Sequence, residues 1–317
     1  MNPEISVILP VYNGGKYLKE SIDSILNQTF NNYELIIVND GSTDESLDII
    51  ISYKDERIKL INQKNTGLSK ALNNGIKLAI GKYIARMDHD DISYPERLKK
   101  QFEFMENHSE YVAIGTWANY ISKDGEFLFT WKPPCKSEDL KKGLPNICPF
   151  VHSSVMMRTD ALKIVGGYKD VGRYFYQEDL LLWIDLAKKG ELYNIPEALV
   201  KYRVTPSSIQ QRSHNYFSYQ MEIVKKYYEI GKLDYKKINL IKSEWGIIPE
   251  KLKQGNYYAK IGSIYLNQNF NRKLAQKNLF KALKYNLLNK KALINLLLSM
   301  LPQNINCRLR NLKRNKK

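Results

Sequence analysis

Apolar positions in the first 115 residues fall into two alternating rhythms. Short β-rich runs at residues 5–9, 35–38, 58–61 and 83–87 read as strands. Between them, Leu18, Ile22, Ile25 and Leu26 recur at helical spacing, Leu47, Ile50 and Ile51 do the same, and a third helix spans 68–80. Pro10 and Asn13-Gly14-Gly15 stop the first strand, and the polar turn Asn39-Asp40-Gly41-Ser42-Thr43-Asp44 follows the second. Near-continuous apolar strands separated by helices predict a mostly parallel sheet covered on both faces. Right-handed crossovers make it a doubly wound, Rossmann-like layout.

Past residue 115 the pattern is less regular. Lys123-Asp124-Gly125-Glu126 fits a hairpin turn between strands at 117–121 and 127–131. Thr159-Asp160 can cap a short helix ending at Gly166-Gly167, and Glu178-Asp179 opens another that Gly190 stops. From His214 onward helical patterns dominate. Residues 258–265 with 275–283 fit one tetratricopeptide-like pair and equally an ordinary helical hairpin. The expected organisation is an α/β domain over 1–213, with halves 1–115 and 116–213, and a basic α-helical extension over 214–317.

Charge sharpens that division. Residues 205–317 hold 23 Lys and Arg against 5 Asp and Glu, whereas residues 1–204 hold 26 against 28. All excess basicity therefore sits in the last third, which could meet an anionic membrane or polymer. Leu287, Leu288, Leu293, Leu296, Leu297, Met300 and Leu301, followed by Arg308, Arg310, Lys313, Arg314, Lys316 and Lys317, suit a helix lying on an anionic bilayer. A solvated tail in a Lys- and Asn-rich chain fits as well. No recognised motif accompanies the charge, so nucleic acid is not an expected partner.

Three cysteines, Cys135, Cys148 and Cys307, are scattered without Cys-x-x-Cys spacing. Neither a disulfide framework nor a thiolate metal site follows, and a reducing compartment fits. No apolar run approaches the ~20 residues of a spanning helix, and the N-terminus lacks the pattern of a secretory leader. The expected location is the cytoplasm, with the inner face of the plasma membrane as a peripheral site.

Three acidic groups fall where strands or helices deliver ligands. Asp88-His89-Asp90, followed at once by Asp91, ends the fourth strand, Asp40 ends the second, and Glu178-Asp179 heads a later helix. Open α/β sheets bind ligands at the carboxyl ends of their strands. Carboxylates so close together repel unless something cationic lies between them, and a hard divalent metal is the usual answer. Each group alone also has a plain reading: Asp91 with Ser93 and Pro95 as a helix start, Asp40-Gly41 as a turn, Glu178-Asp179 as helix N-terminal charge. Asp40, Asp88, Asp90 and the Glu178-Asp179 pair would make four such accidents in the expected order, which is harder to accept. The chain has no Gly-x-x-x-x-Gly-Lys-Ser/Thr loop and no Gly-x-Gly-x-x-Gly after its first strand. Phosphates would be met by a metal between carboxylates rather than by a glycine-rich cradle.

Ser6-Val7-Ile8-Leu9-Pro10-Val11-Tyr12-Asn13 and Val38-Asn39-Asp40-Gly41-Ser42-Thr43-Asp44 together resemble the start of family 2 glycosyltransferases with the GT-A fold. The resemblance continues through Asn65-Thr66-Gly67-Leu68, Asp88-His89-Asp90-Asp91, Pro95-Glu96-Arg97-Leu98, Gly166-Gly167-Tyr168 and Glu178-Asp179-Leu180, covering roughly residues 5–204. It implies a metal-dependent inverting enzyme that moves a hexosyl or N-acetylhexosaminyl group from a UDP-sugar to a glycan or lipid-linked acceptor in surface polysaccharide assembly. Pro10, Val11 and Tyr12 would face the donor base, Asp40 the base or ribose, and Asp88 the ribose, with Asn65 and Gly67 also on the donor side. Asp90 would hold Mn²⁺ or Mg²⁺ on the diphosphate. Asp179 would be the general base, Glu178 would orient it or bind the acceptor, and His152, Gly166 and Gly167 would border the acceptor cleft. Two rival functions use the same scaffold: a non-catalytic nucleotide- or glycan-binding protein, and a nucleotidyltransferase.

The chain also departs from that pattern. Tyr202-Arg203-Val204-Thr205 lacks the His that often follows the last core strand, although Ser207-Ser208 come next. Ala71-Leu72-Asn73 replaces a common Ala-Arg-Asn, and His89 is the variable middle of its triplet, expected to face away.

Overall fold

The computed structural model describes residues 2–172, 174–206, 214–241, 248–268 and 271–302. The expected cations from Arg308 onward, Cys307 and Ser207-Ser208 lie outside them. By its contacts the chain divides into two compact units. The first comprises Met1–Asn119, Thr130–Tyr202 and His214–Trp245; the second comprises Tyr120–Phe129, Arg203–Ser213 and Gly246–Lys317.

The strands are β1 (Ile5–Val11), β2 (Tyr33–Asp40), β3 (Ile58–Gln63), β4 (Tyr83–Arg86), β5 (Ile92–Ser93), β6 (Tyr111–Ile121), β7 (Phe127–Trp131), β8 (Met156–Arg158) and β9 (Glu191–Arg203). They join in one sheet of order β3-β2-β1-β4-β8-β6-β9-β5, with β7 paired to β6. β3, β2, β1 and β4 run parallel, in the register Val7↔Leu35 and Val7↔Ala85. Beyond β4 the sheet reverses, because β8 runs antiparallel to both β4 and β6. A three-residue strand is too short to show a period, so β8 left no trace in the apolar pattern.

Alternation along β1 and β2 explains why both faces are covered. Val7 and Leu9 of β1 and Leu35 and Ile37 of β2 pack with Leu18, Ile22 and Ile25 of helix α1 (Gly15–Leu26). Ile8, Ile36 and Val38 point the other way. They meet Ala71, Leu72 and Ile76 of α3 (Leu68–Leu78), which follows the short helix α2 (Ser46–Ser52). Gly75 permits the close approach of α3: a Cβ there would sit 2.7 Å from Ile8 Cγ2. β3, at the edge, alternates half-buried and exposed positions.

The remaining helices of the first unit are α4 (Arg97–Asn107), α5 (Ser137–Gly143), α6 (Thr159–Ile164), α7 (Glu178–Leu186), α8 (His214–Ile230) and α9 (Tyr235–Asn239). α8 had been grouped with the helical extension, yet Ile223, Val224 and Tyr227 join the same apolar cluster as Leu180, Trp183 and Ile184 of α7. Its buried Gln220 accepts a hydrogen bond from Tyr176 N (2.8 Å) and donates one to Tyr174 O (2.9 Å). The chain leading into Glu178 is thus held by α8.

The second unit contains α10 (Glu250–Asn267), α11 (Arg272–Tyr285) and α12 (Lys290–Met300). Asn271 and Asn289 cap α11 and α12 by accepting from Leu274 N and Ala292 N. Ala259, Leu279, Ala282, Ala292 and Leu296 form its small core. Lys123 N donates to the Tyr257 hydroxyl at 3.0 Å, which fixes the turn expected at 123–126. Among the described residues no helix is long and apolar enough to cross a membrane.

Candidate functional site

The loops after β1, β2, β3 and β4 meet one another through specific contacts. Asn13 Oδ1 accepts from Thr43 N (2.8 Å), and Gly15 N donates to Asp44 Oδ2 (3.0 Å), so the first two loops are laced together. The His89 ring lies against Gly14, where a Cβ would come within 2.5 Å of it, so the fourth loop closes on the first. Pro10 and Val11 are buried at the end of β1, and Tyr12 beside them is half exposed.

Asp40 ties the second loop to the third. Its Oδ1 accepts from Thr66 N (2.8 Å) and Gln63 Nε2 (2.8 Å), and its Oδ2 accepts from Gly67 N (2.9 Å). The carboxylate therefore shapes the Asn65–Gly67 turn, and Oδ2 keeps acceptor capacity for one further donor. Gly41 lets the loops close: its φ is +72°, and a Cβ would stand 2.6 Å from Asn65 N. Gly41→Ala should cost about 1–3 kcal/mol in urea unfolding. A loss below about 0.5 kcal/mol would contradict this packing.

β4 delivers the acidic cluster. A carboxylate oxygen from each of Asp88, Asp90 and Asp91 lies within 4.8 Å of the other two, and His89 supplies no ligand atom to the group. Asp91 is buried and accepts from Ser153 Oγ. It does not start a helix, because α4 begins at Arg97 with no side-chain cap. Arg86, buried in β4, pairs with Asp88 Oδ2 and donates to Ser153 Oγ at 3.1 Å. Burial opposes ionisation of Asp88, but the adjacent Arg86 charge holds its carboxyl below the ordinary range. Asp90 is pushed the other way, by burial and then by the Asp88 charge.

Arg86 is itself held by a second buried arginine. Arg97 Nη2 donates to Arg86 O (2.8 Å) and Val155 O (3.2 Å), and its Nε donates to Gln101 Oε1 (3.0 Å). Gln101 in turn donates to Ser154 O at 2.8 Å. The Pro-Glu-Arg-Leu segment thus braces β4 and the His152–Ser154 turn from α4.

Glu178 and Asp179 open α7 within the electrostatic reach of Arg86. Glu178 is buried, and its Oε2 finds no hydrogen-bond partner among the described residues. Burial first, and the Asp179 charge second, push its carboxyl up to about 8. Burial also raises Asp179, whose Oδ2 lies 3.3 Å from Cys148 Sγ. The Cys148 thiol is driven well above its ordinary range by burial and by Asp179, so it stays protonated and can donate. A carboxyl raised on folding favours the folded state at low pH, a contribution lost as pH climbs from 4.5 through about 8. Glu178→Gln, which cannot ionise, should match wild-type melting below that window and exceed it above. A gap in melting temperature that does not widen with pH would contradict the burial of an ionisable Glu178.

Across from this pair, His152 Nε2 lies 2.7 Å from the Tyr168 hydroxyl, and its ring stands edge-on to Trp183. Burial and the Arg86 charge hold the imidazole well below its ordinary range, so it is neutral. Gly166 and Gly167 end α6 with positive φ, and their amides donate to Lys163 O and Leu162 O. Asn73 accepts from Tyr168 N (2.9 Å) and donates to Tyr168 O (2.7 Å), leaving no room for a Cβ at Gly167. A cavity of about 530 Å³ is lined by Val171, Tyr174, Phe175, Tyr235 and Ile238, and contains none of the clustered carboxylates.

The structure thus gathers Asp88, Asp90, His152, Glu178 and Asp179 around Arg86, and sets Asp40, Asn65 and Gly67 on the neighbouring strand ends. Sequence reasoning gave no site role to Arg86, Cys148, Asn73 or Gln220. For Arg86 a signal existed: a lone cation inside the apolar run 83–87 must be paired if that run is a buried strand.

The family model described as glycosyl transferase family 2 matches residues 6–166. A Bacillus subtilis (strain 168) protein bearing the name glycosyltransferase EpsE is 39% identical over 220 residues, spanning 68% of this chain and 78% of that protein. A glycosyltransferase of Haemophilus influenzae is 37% identical over 241 residues, covering 71% of this chain and 72% of its own length. Among solved structures, S. aureus TarS 1-349 in complex with UDP-GlcNAc aligns at TM-score 0.55 and 18% identity, over 91% of this chain and 74% of that one. The mannosyltransferase PcManGT from Pyrobaculum calidifontis, in complex with GDP-Man and Mn²⁺, aligns at TM-score 0.54 and 16% identity, over 92% and 88%. Identities this low establish shared architecture, the GT-A fold that the family resemblance implied. A family match over half the chain, joined to a relative at 39% identity over more than two-thirds of it, establishes membership: the chain belongs to glycosyl transferase family 2 and is a glycosyltransferase.

Proposed function

We propose that this glycosyltransferase moves a hexosyl or N-acetylhexosaminyl group from a UDP-sugar to a hydroxyl of a glycan or lipid-linked acceptor, with inversion, in surface polysaccharide assembly. The observation that carries it is the juxtaposition of three carboxylates within 4.8 Å of one another with the Glu178-Asp179 pair under the same Arg86 field. Support for the donor class comes from the UDP-GlcNAc complex of TarS, and for a metal from the Mn²⁺ complex of PcManGT.

Three hard oxygen donors so close together, one pushed up by burial and then by its neighbour's charge, fit Mn²⁺ or Mg²⁺. Asp90 and Asp91 would hold the ion, and Asp88, already paired to Arg86, would face the ribose. When bound, the ion supplies positive charge to the departing diphosphate. The chain's own residues do the rest. Tyr12 offers an exposed ring beside buried Pro10 and Val11 for the base to pack against, and Asp40 keeps the Asn65–Gly67 turn in place with one lone pair free for the nucleoside. Asp179 takes the acceptor hydroxyl proton as the new bond forms. Glu178, protonated through the neutral range, donates toward the acceptor or toward Asp179. A single base and a single displacement invert the anomeric centre. Neutral His152 and the Gly166-Gly167 turn border the acceptor side.

Product analysis tests the reading. Incubation with a panel of UDP-sugars, Mn²⁺ and candidate acceptors should release UDP with glycoside formation. Release of pyrophosphate would indicate nucleotidyl transfer instead, and tight donor binding with no turnover of any acceptor would indicate a binding protein.

A further inference from the structure

Helix α12 is turned inside out relative to an ordinary surface helix. The face it buries carries Ala292, Asn295, Leu296 and Ser299, two of them polar. The face it exposes carries Leu293, Ile294, Leu297 and Met300, the last two 66% and 60% exposed. Leu287 and Leu288, in the turn just before it, are also exposed, Leu288 by 83%. Scattered exposed leucines need no explanation, but six large aliphatic side chains within fourteen residues form a patch that does.

The charge carried by α12 and the helix before it narrows what can cover this patch. Lys277, Lys281 and Lys284 on α11 and Lys290 and Lys291 on α12 are all exposed. Residues 251–317 contain 16 Lys and Arg and no Asp or Glu. A second copy of this chain would set cation against cation across the contact. A nucleic acid would pair with the lysines and leave the aliphatic side chains unused. A surface that is anionic outside and hydrocarbon a few ångströms within satisfies both features, because lysine stems can reach headgroups while Leu, Ile and Met enter the acyl boundary.

We propose that the exposed face of α12, with the turn at 287–288, is a docking surface for an anionic lipid bilayer. This inference is independent of the transfer reaction, and its test reads binding rather than turnover. The full chain should sediment with phosphatidylglycerol-containing vesicles and remain in solution with pure phosphatidylcholine. Raising the salt to about 0.5 M should weaken sedimentation severalfold. The variant L293Q/L297Q/M300Q changes only exposed positions, so its circular dichroism and melting should match wild type while partitioning falls by at least about tenfold. K281Q/K284Q/K290Q/K291Q should lose the preference for anionic vesicles. Wild-type protein that stays in solution with anionic vesicles would overturn the proposal. So would an aliphatic variant that binds as wild type does, or a dimer in solution that the same variant dissociates.

Discussion

Replacing Asp179 with Asn should lower kcat for sugar transfer by about a hundred- to ten-thousand-fold, the range expected for loss of a positioned general base. Donor affinity should stay within about threefold, because the proposed role is on the acceptor proton and not on the nucleotide. The pH dependence carries the same signature. Burial raises the Asp179 carboxyl, so the base-competent carboxylate forms at higher pH than for an exposed aspartate, and kcat should rise through that shifted range before levelling. In the Asn variant that rising limb should vanish along with the rate. An Asp179→Asn enzyme retaining more than about a tenth of wild-type kcat, with its pH profile unchanged, would remove Asp179 from the base role.

The second large effect concerns stability. Arg86→Met should cost about 3–5 kcal/mol in denaturant unfolding, because it strands Asp88 beside Asp90 and Asp91 without the buried cation that now faces them. Simple loss of a surface ion pair would cost about 0–1 kcal/mol, so the magnitude separates the two situations. Loss of stability should be greatest above the carboxylate range and shrink at acid pH, where the stranded carboxyls take up protons. Arg86→Lys should recover part of it by restoring the charge without the planar fork. A Met variant within about 1 kcal/mol of wild type at neutral pH would show that Arg86 is dispensable to the cluster.

Much of this architecture was readable before any coordinates, and the reason is period. β1 and β2 read as near-continuous apolar runs set between helical spacings, and the structure sends Val7 and Leu9 to one helix layer and Ile8 to the other. The ordered series from Asp40 through Asp179 carried the family likeness, and the strand ends it marked are where the structure brings loops together. What stayed hidden depends on partners far apart in sequence. Nothing local shows that Asn73 grips Tyr168, or that Gln220 on α8 holds the approach to Glu178, because each uses a side-chain amide to satisfy backbone groups some 44 to 95 positions away. Asp40 taught a related lesson: a turn residue and a donor-side residue are not exclusive readings, since its carboxylate builds the turn while keeping one acceptor position open. Asp91 admitted two readings, cluster member and helix start, and its burial against Ser153 decides for the cluster.

The most direct test of the central claim is anomalous diffraction from crystals grown with Mn²⁺ and UDP. One strong manganese peak should appear, ligated by carboxylate oxygens of the Asp88–Asp91 segment and by the diphosphate, with Asp179 facing the same cleft. Manganese bound elsewhere, or a diphosphate seated away from that segment, would contradict it.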